Sequence, residues 1–255
     1  MTSQSIVPEE RRDILWKHPD TVRGNEMSRP SVPYEQDEFD IVRRVLEAHG
    51  VTPTAMLDLG SGDGLATAGM IDRMPVDRAV LVDFSEPMLA VARARFAGTQ
   101  FDVAVVEGDL FDSGWREGLP ATEGYDLVMS RHAIHHLPDS RKRTLYGEIF
   151  ELVRPGGMFV NIEHVKSLGT HYEEAFNQLM VERIHANALD GTSLEEVLTA
   201  YRSRMDGELN ILASVEDQCQ WLRDVGFVDV DCPFKALELA VIVGLKPGSD
   251  ITRNS

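Results

Sequence analysis

Four short segments carry residues whose types and spacing could do chemistry. The first is Leu57-Asp58-Leu59-Gly60-Ser61-Gly62-Asp63-Gly64. Its glycines permit a tight turn and let a ligand approach the backbone with no Cβ in the way. The order is G-x-G-x-G, and Leu65 stands where the third glycine of a dinucleotide fingerprint belongs. Asp63 in the loop would repel a pyrophosphate, so the expected ligand is a nucleoside without phosphates; a glycine-rich turn can also be only a turn. The second segment ends in Asp83-Phe84. Asp83 follows Gly60 by 23 residues, close to the roughly 20 expected of a carboxylate that accepts from ribose hydroxyls. The third is Glu107-Gly108-Asp109-Leu110, where Asp109 could accept from an exocyclic adenine amine while Leu110 and Phe84 pack the ring. The fourth is Met129-Ser130-Arg131-His132, followed closely by His135 and His136.

Histidine is the natural base near neutral pH, and His132 is the candidate general base. His135, His136 and His164 are weaker candidates, since histidines in such a turn usually cap or hydrogen-bond locally. The spacing of His132, His135 and His136 lacks a matching carboxylate or cysteine set, so no metal is expected.

Something must hold these four segments at one edge. Short apolar runs at 55–59, 79–82, 101–106, 125–129 and 158–162 read as strands. Helical patterns at 66–74, 87–96 and 141–153 separate them, the second capped by Ser85 and the third closed by Pro155-Gly156-Gly157. Such alternation predicts a doubly wound parallel sheet, with ligands at the carboxyl ends of its strands. A helix capped at Ser214 and ending at Gly226 precedes two last strands, at 227–230 and 237–243.

Two segments lie outside this pattern. Residues 1–38 are polar and Pro-punctuated, with isolated aromatics at Trp16 and Tyr34, and read as an arm that must dock elsewhere to be ordered. Residues 165–213 read as a helical insertion that covers the sheet edge. One helix carries the stripe Tyr172, Phe176, Leu179, Met180 and Ile184, flanked by Arg183 and His185, and a second opens on the capping box Ser193 to Glu196. Arm and insertion together are expected to form a lid, leaving 39–164 and 214–246 as the ligand-binding domain.

The 255 residues carry 25 Lys+Arg against 42 Asp+Glu, a net charge of −17. That balance argues against a nucleic-acid backbone or an anionic membrane as the main partner. Cys219 and Cys232 are too few for a disulfide framework. The first residues contain no apolar signal-like core, and the apolar stretch 236–245 is interrupted by Glu238 and too short to span a membrane. A cytoplasmic protein acting on a small molecule is the expectation, with a homodimer as the candidate assembly.

The segments LDLGSGDG, VDFSEPML, EGDLFD and YDLVMSRHAIHHL, with the RPGG turn, resemble class I S-adenosylmethionine-dependent methyltransferases. The resemblance covers about 39–164 and the two last strands. It implies a Rossmann-like, doubly wound, mostly parallel seven-stranded sheet with an antiparallel last strand, and S-adenosyl-L-methionine as cofactor, leaving S-adenosyl-L-homocysteine. It places Asp58, Gly60, Ser61 and Gly62 along the methionine portion and Asp83 on the ribose. Phe84, Met88, Asp109 and Leu110 fall around the adenosine, and Ser130 and Arg131 toward the sulfonium end.

A narrower resemblance joins 26–34 and 201–215 to carboxy-S-adenosylmethionine synthases, a branch of the same fold that modifies the cofactor itself. Tyr34 keeps its match there and is expected to close over the cofactor. That branch holds an extra carboxylate with an arginine in the later segment. Ungapped alignment on Met205 places Ser203 near that position, with Arg202 and Arg204 on either side.

Overall fold

The computed structural model describes residues 11–18, 31–188, 191–203 and 210–248. Seven strands form one sheet: β1 Ala55–Leu59, β2 Arg78–Asp83, β3 Asp102–Glu107, β4 Tyr125–Arg131, β5 Val153–His164, β6 Val228–Ala236 and β7 Leu239–Leu245. Their order is β3-β2-β1-β4-β5-β7-β6. The first five strands are parallel, and β7 runs antiparallel to both β5 and β6.

Helices cover both faces, which is why β1, β2 and β4 are almost continuously buried. Alternate side chains feed two cores. Leu57, Val80, Val128 and Phe159 point to one, with Tyr146 of α4 (Asp139–Leu152) and Trp221 of α7 (Val215–Val225). Met56, Leu81, Leu127 and Val160 point to the other, with Phe39, Val42 and Leu46 of α1 (Glu35–Ala48). The remaining crossovers are α2 (Leu65–Ile71) and α3 (Glu86–Phe96). Ser85 caps α3 through Met88 N–H at 3.5 Å, and Ser214 caps α7 through Asp217 N–H at 3.0 Å.

The expected turn at Arg154-Pro155-Gly156-Gly157 lies inside β5 instead. Register breaks there between Tyr125 and Leu127, with Gly156 at φ +79°. Gly156 N–H donates to Lys246 O and Lys246 N–H to Gly157 O, both at 2.9 Å, so the end of β7 keeps the bulged segment extended.

The insertion carries α5 (Thr170–Asn187) and α6 (Leu194–Arg202), the latter opened by the reciprocal Ser193–Glu196 capping box. The stripe on α5 is not uniformly buried: Phe176 packs in, whereas Tyr172, Arg183 and His185 are exposed. Ahead of the sheet, Arg12–Lys17 form a 3₁₀ turn. Strand order reverses between β1 and β4, and the crevice outside their carboxyl ends is where such sheets bind ligands. Among the described residues, no helix is long and apolar enough to cross a membrane.

Candidate functional site

The crevice at that switch point is a cleft walled by the loops after β1, β2, β3 and β4 and by Asp13 and Trp16 of the arm. Gly60, Gly62 and Gly64 adopt φ of +65°, +54° and +77°, which L-residues rarely tolerate. Gly60 and Ser61 N–H both donate to Val82 O, folding the loop over the end of β2. A Cβ on Gly60 would lie 2.2 Å from Ala133 Cβ, so this glycine serves the approach of the β1 and β4 loops to each other.

Asp83 is buried with both oxygens in use. Oδ2 accepts from Gly62 N–H at 2.9 Å and Oδ1 from Ser85 N–H at 2.8 Å. Phe84 N–H also bears on this carboxylate, whose four lone-pair sites still leave room for a ligand hydroxyl. Burial pushes its carboxyl up to about 6 despite those donors. Asp58 accepts from Thr67 Oγ1 at 2.6 Å, and burial pushes it up to about 7. Asp63 takes a different part from the expected one. Arg95 donates to its Oδ2 at 2.8 Å and to its backbone oxygen at 2.9 Å. With that charge answered, repulsion of a phosphate falls to Asp58 and Asp83.

Asp109 accepts from Phe111 N–H at 3.0 Å and from Arg11, at 3.0 Å on Oδ1 and 2.5 Å on Oδ2. Phe84, Met88, Leu110 and Phe111 line the same end of the cleft. Leu110 O is anchored by Arg141 Nε at 2.7 Å, and Arg141 is gripped by Glu148, which also accepts from Trp115 Nε1.

Arg131 and His132 sit at the other end. Glu38 and Glu35 of α1 each approach the Arg131 guanidinium to 3.2 Å. His132 adopts φ +52°, a strained conformation of a kind that gathers at functional sites. Burial, then the positive Arg131, holds the imidazole well below its ordinary range, so it is neutral. Behind it, His135 Nδ1 and Glu163 Oε1 lie 2.5 Å apart, and burial drives both toward their neutral forms. His164 Nε2 is 2.9 Å from Glu238, and His136 reaches the cleft wall beside Trp16. Among the described residues, no group of three or more His, Cys, Asp or Glu is arranged to hold a metal ion.

Two expected residues stand apart from the cleft. Ser130 is fully buried and its Oγ donates to Leu59 O at 2.8 Å, tying β4 to β1. Tyr34 sits half-exposed at the start of α1, edge-on to Phe234 with ring centroids 5.9 Å apart. Arg202 and Ser203 are exposed, with Ser203 Oγ bonded back to Thr199 O, and neither lines the cleft. Arg204 and Met205 lie outside the described residues.

The site also uses residues that the motifs did not single out. Asp13 and Arg11 come from a polar segment with no periodicity, where the isolated Trp16 was the visible signal. Four residues that line this cleft each carry a buried side-chain atom with no partner among the described residues: Trp16 Nε1, Asp58 Oδ1, Ser61 Oγ and His132 Nε2. Burying such atoms unpaired is costly, and a ligand with hydroxyl, amine and charged ends would satisfy them.

Residues 56–157 match the family described as a methyltransferase domain. The chain is 24% identical over 225 residues to carboxy-S-adenosyl-L-methionine synthase of Aeromonas salmonicida, covering 87% of this chain and 86% of that protein. It is 33% identical over 117 residues to demethylmenaquinone methyltransferase of Chlamydia caviae, covering 46% of each. The fold is similar to human N-acetylserotonin methyltransferase in complex with S-adenosylmethionine, at TM-score 0.61 and 18% identity. That likeness covers 94% of this chain, which spans about six tenths (59%) of the human one.

Proposed function

We propose, from the premise that this chain is an S-adenosylmethionine-dependent methyltransferase, that it methylates a small molecule whose ionisable X–H group is deprotonated by His132. When bound, the cofactor supplies an electrophilic methyl group. Asp83 would accept from the ribose hydroxyls, and the 109–111 loop and Phe84 would hold the adenine. The partnerless Asp58 Oδ1 suits an ammonium. The observation that carries the proposed reaction is His132, a residue of the cleft wall whose Nε2 is buried without a partner among the described residues, on an imidazole held neutral. A neutral imidazole can take a proton only if its free nitrogen has no competing donor, and Nε2 meets that condition.

A second reading has a specific observation behind it. The similarity to carboxy-S-adenosyl-L-methionine synthases runs nearly end to end, reaching 92% of this chain and 99% of the Shewanella amazonensis protein at 23% identity. Among the described residues, Arg202 does not line this cleft, and Arg204 lies outside them.

Incubation with methyl-labelled S-adenosylmethionine and a fractionated metabolite extract separates the two. Label should pass to a small molecule, and His132→Gln should slow that transfer by about 10²–10⁴-fold, the usual scale of general-base catalysis. Affinity for S-adenosylhomocysteine should stay within twofold. A cofactor product heavier by a carboxyl group would overturn the first reading, and unchanged transfer by His132→Gln would return His132 to a structural role.

A further inference from the structure

The arm residues 11–17 meet the cleft through a connected set of contacts. Arg11 bridges two carboxylates. Nη1 and Nη2 donate to Asp109 at 2.5 and 3.0 Å, while Nε and Nη2 donate to Asp13 at 3.1 and 2.9 Å. Its guanidinium lies over the Phe111 ring, 4.0 Å from the centroid, with the Phe84 centroid at 5.5 Å. Three residues on, the buried Asp13 gives way to Trp16, whose carbonyl accepts from Ser85 Oγ at 2.5 Å. The arm is thus fixed at both ends to residues that flank Asp83 and Asp109, and Trp16 Nε1 is left buried and unpaired on the cleft wall.

We propose that residues 11–17 form a wall of the nucleoside slot, locked shut by the Arg11 fork, and that Trp16 Nε1 donates a hydrogen bond to the bound ligand. This rests on the reading of the cleft as a cofactor slot. The fork also settles what Asp109 has left to offer. Oδ1 is filled by Phe111 N–H and Arg11 Nη2, whereas Oδ2 takes only Arg11 Nη1 and keeps one lone pair. One lone pair suits one N–H of an exocyclic amine, so Arg11 orients the acceptor without using it up. Planar, bidentate contact to carboxylates is a property of arginine that lysine does not share. Ligand escape past this wall requires the fork to break.

The test combines stopped-flow tryptophan fluorescence with S-adenosylhomocysteine and trypsin cleavage after Lys17 in the ligand-free protein. Arg11→Met keeps an apolar stem over Phe111 and removes the fork. The dissociation rate should rise at least tenfold, with affinity weakened, and cleavage after Lys17 should accelerate at least tenfold without any ligand. Trp16→Phe should weaken affinity at least fivefold while leaving the ligand-free cleavage rate within twofold. Tighter binding by Arg11→Met would show that Arg11 occupies the slot as a competitor and would overturn the proposal. Dissociation and cleavage rates within twofold of the unaltered protein would overturn the lock, and unchanged affinity of Trp16→Phe would overturn the donor. If the unaltered protein bound no nucleoside, the cofactor reading would fail, and the cleavage rates would still decide whether the Arg11 fork holds the arm.

Discussion

Replacing Asp83 by Asn tests the centre of the site, because the change keeps shape and removes charge. In the native loop both oxygens accept backbone N–H groups, from Gly62 and Ser85. An amide presents one oxygen and one NH₂, so one of those backbone donors must face another donor. The ribose hydroxyls proposed to bind there would lose a charged acceptor at the same time. Each hydrogen bond to a charged group is worth about 1.5–3 kcal/mol, and retention of one neutral acceptor leaves a net loss of about 2–4 kcal/mol. At about 1.4 kcal/mol per factor of ten, S-adenosylhomocysteine affinity by titration calorimetry should fall about 30- to 700-fold. A pH series adds a second readout. Burial holds the native carboxyl at about 6, above its ordinary value of 3.8. Between those values the folded protein keeps a proton that the unfolded chain has lost, so ionisation costs stability as pH rises toward 6. Binding has the opposite dependence, since only the ionised form accepts from two hydroxyls. Affinity of the native protein should therefore weaken more steeply as pH falls through about 6 than that of Asp83→Asn, in which only Asp58, raised to about 7, still titrates at the site. An affinity within threefold of native, or a parallel pH profile, would refute the placement of the ribose.

Gly60→Val combines a left-handed φ with a Cβ set 2.2 Å from Ala133 Cβ, strain and overpacking that together cost at least about 3 kcal/mol. Tm should drop by about 6–12 °C with loss of nucleoside binding; a Tm within 2 °C of native would contradict the contact between the β1 and β4 loops. Thr67→Val removes the donor to Asp58 Oδ2 at a cost of about 1–3 kcal/mol. Asp58 already has its carboxyl raised to about 7, so native stability falls as pH rises from about 4 to 7. Because the ionised form most needs the hydroxyl, the penalty of Thr67→Val in urea unfolding should be larger at pH 8 than at pH 5. A pH-independent penalty would mean that Asp58 does not titrate in this range.

The parallel half of the fold was legible because each strand–loop–helix unit is local. Residues 55–71 carry the apolar run, the glycines and the following helix within some twenty positions, and Ser85 and Ser214 mark helix starts that the structure keeps. The boundary of β5 was less legible. Arg154-Pro155-Gly156-Gly157 has turn composition, and only pairing with Lys246, nearly ninety residues on, holds it extended. The last two strands start later than their apolar runs for the same reason, since pairing between β6 and β7 sets the register. Side-chain direction at the site was harder still. Ser130 and Arg131 are neighbours, yet one bonds inward to Leu59 O and the other lines the cleft. Asp63 reads as an anion in a ligand loop until Arg95, thirty-two residues away, is seen to pair with it. The arm was least legible. Arg11 meets Asp109 across 98 residues, and no period in a polar segment encodes such a contact.

The most direct test is mass spectrometry of the small molecules released when the purified protein is denatured, followed by calorimetry with added S-adenosylhomocysteine. The account predicts an ion of S-adenosylmethionine or S-adenosylhomocysteine and saturable binding that Asp83→Asn abolishes or weakens. No nucleoside in the extract and no heat on titration would contradict it.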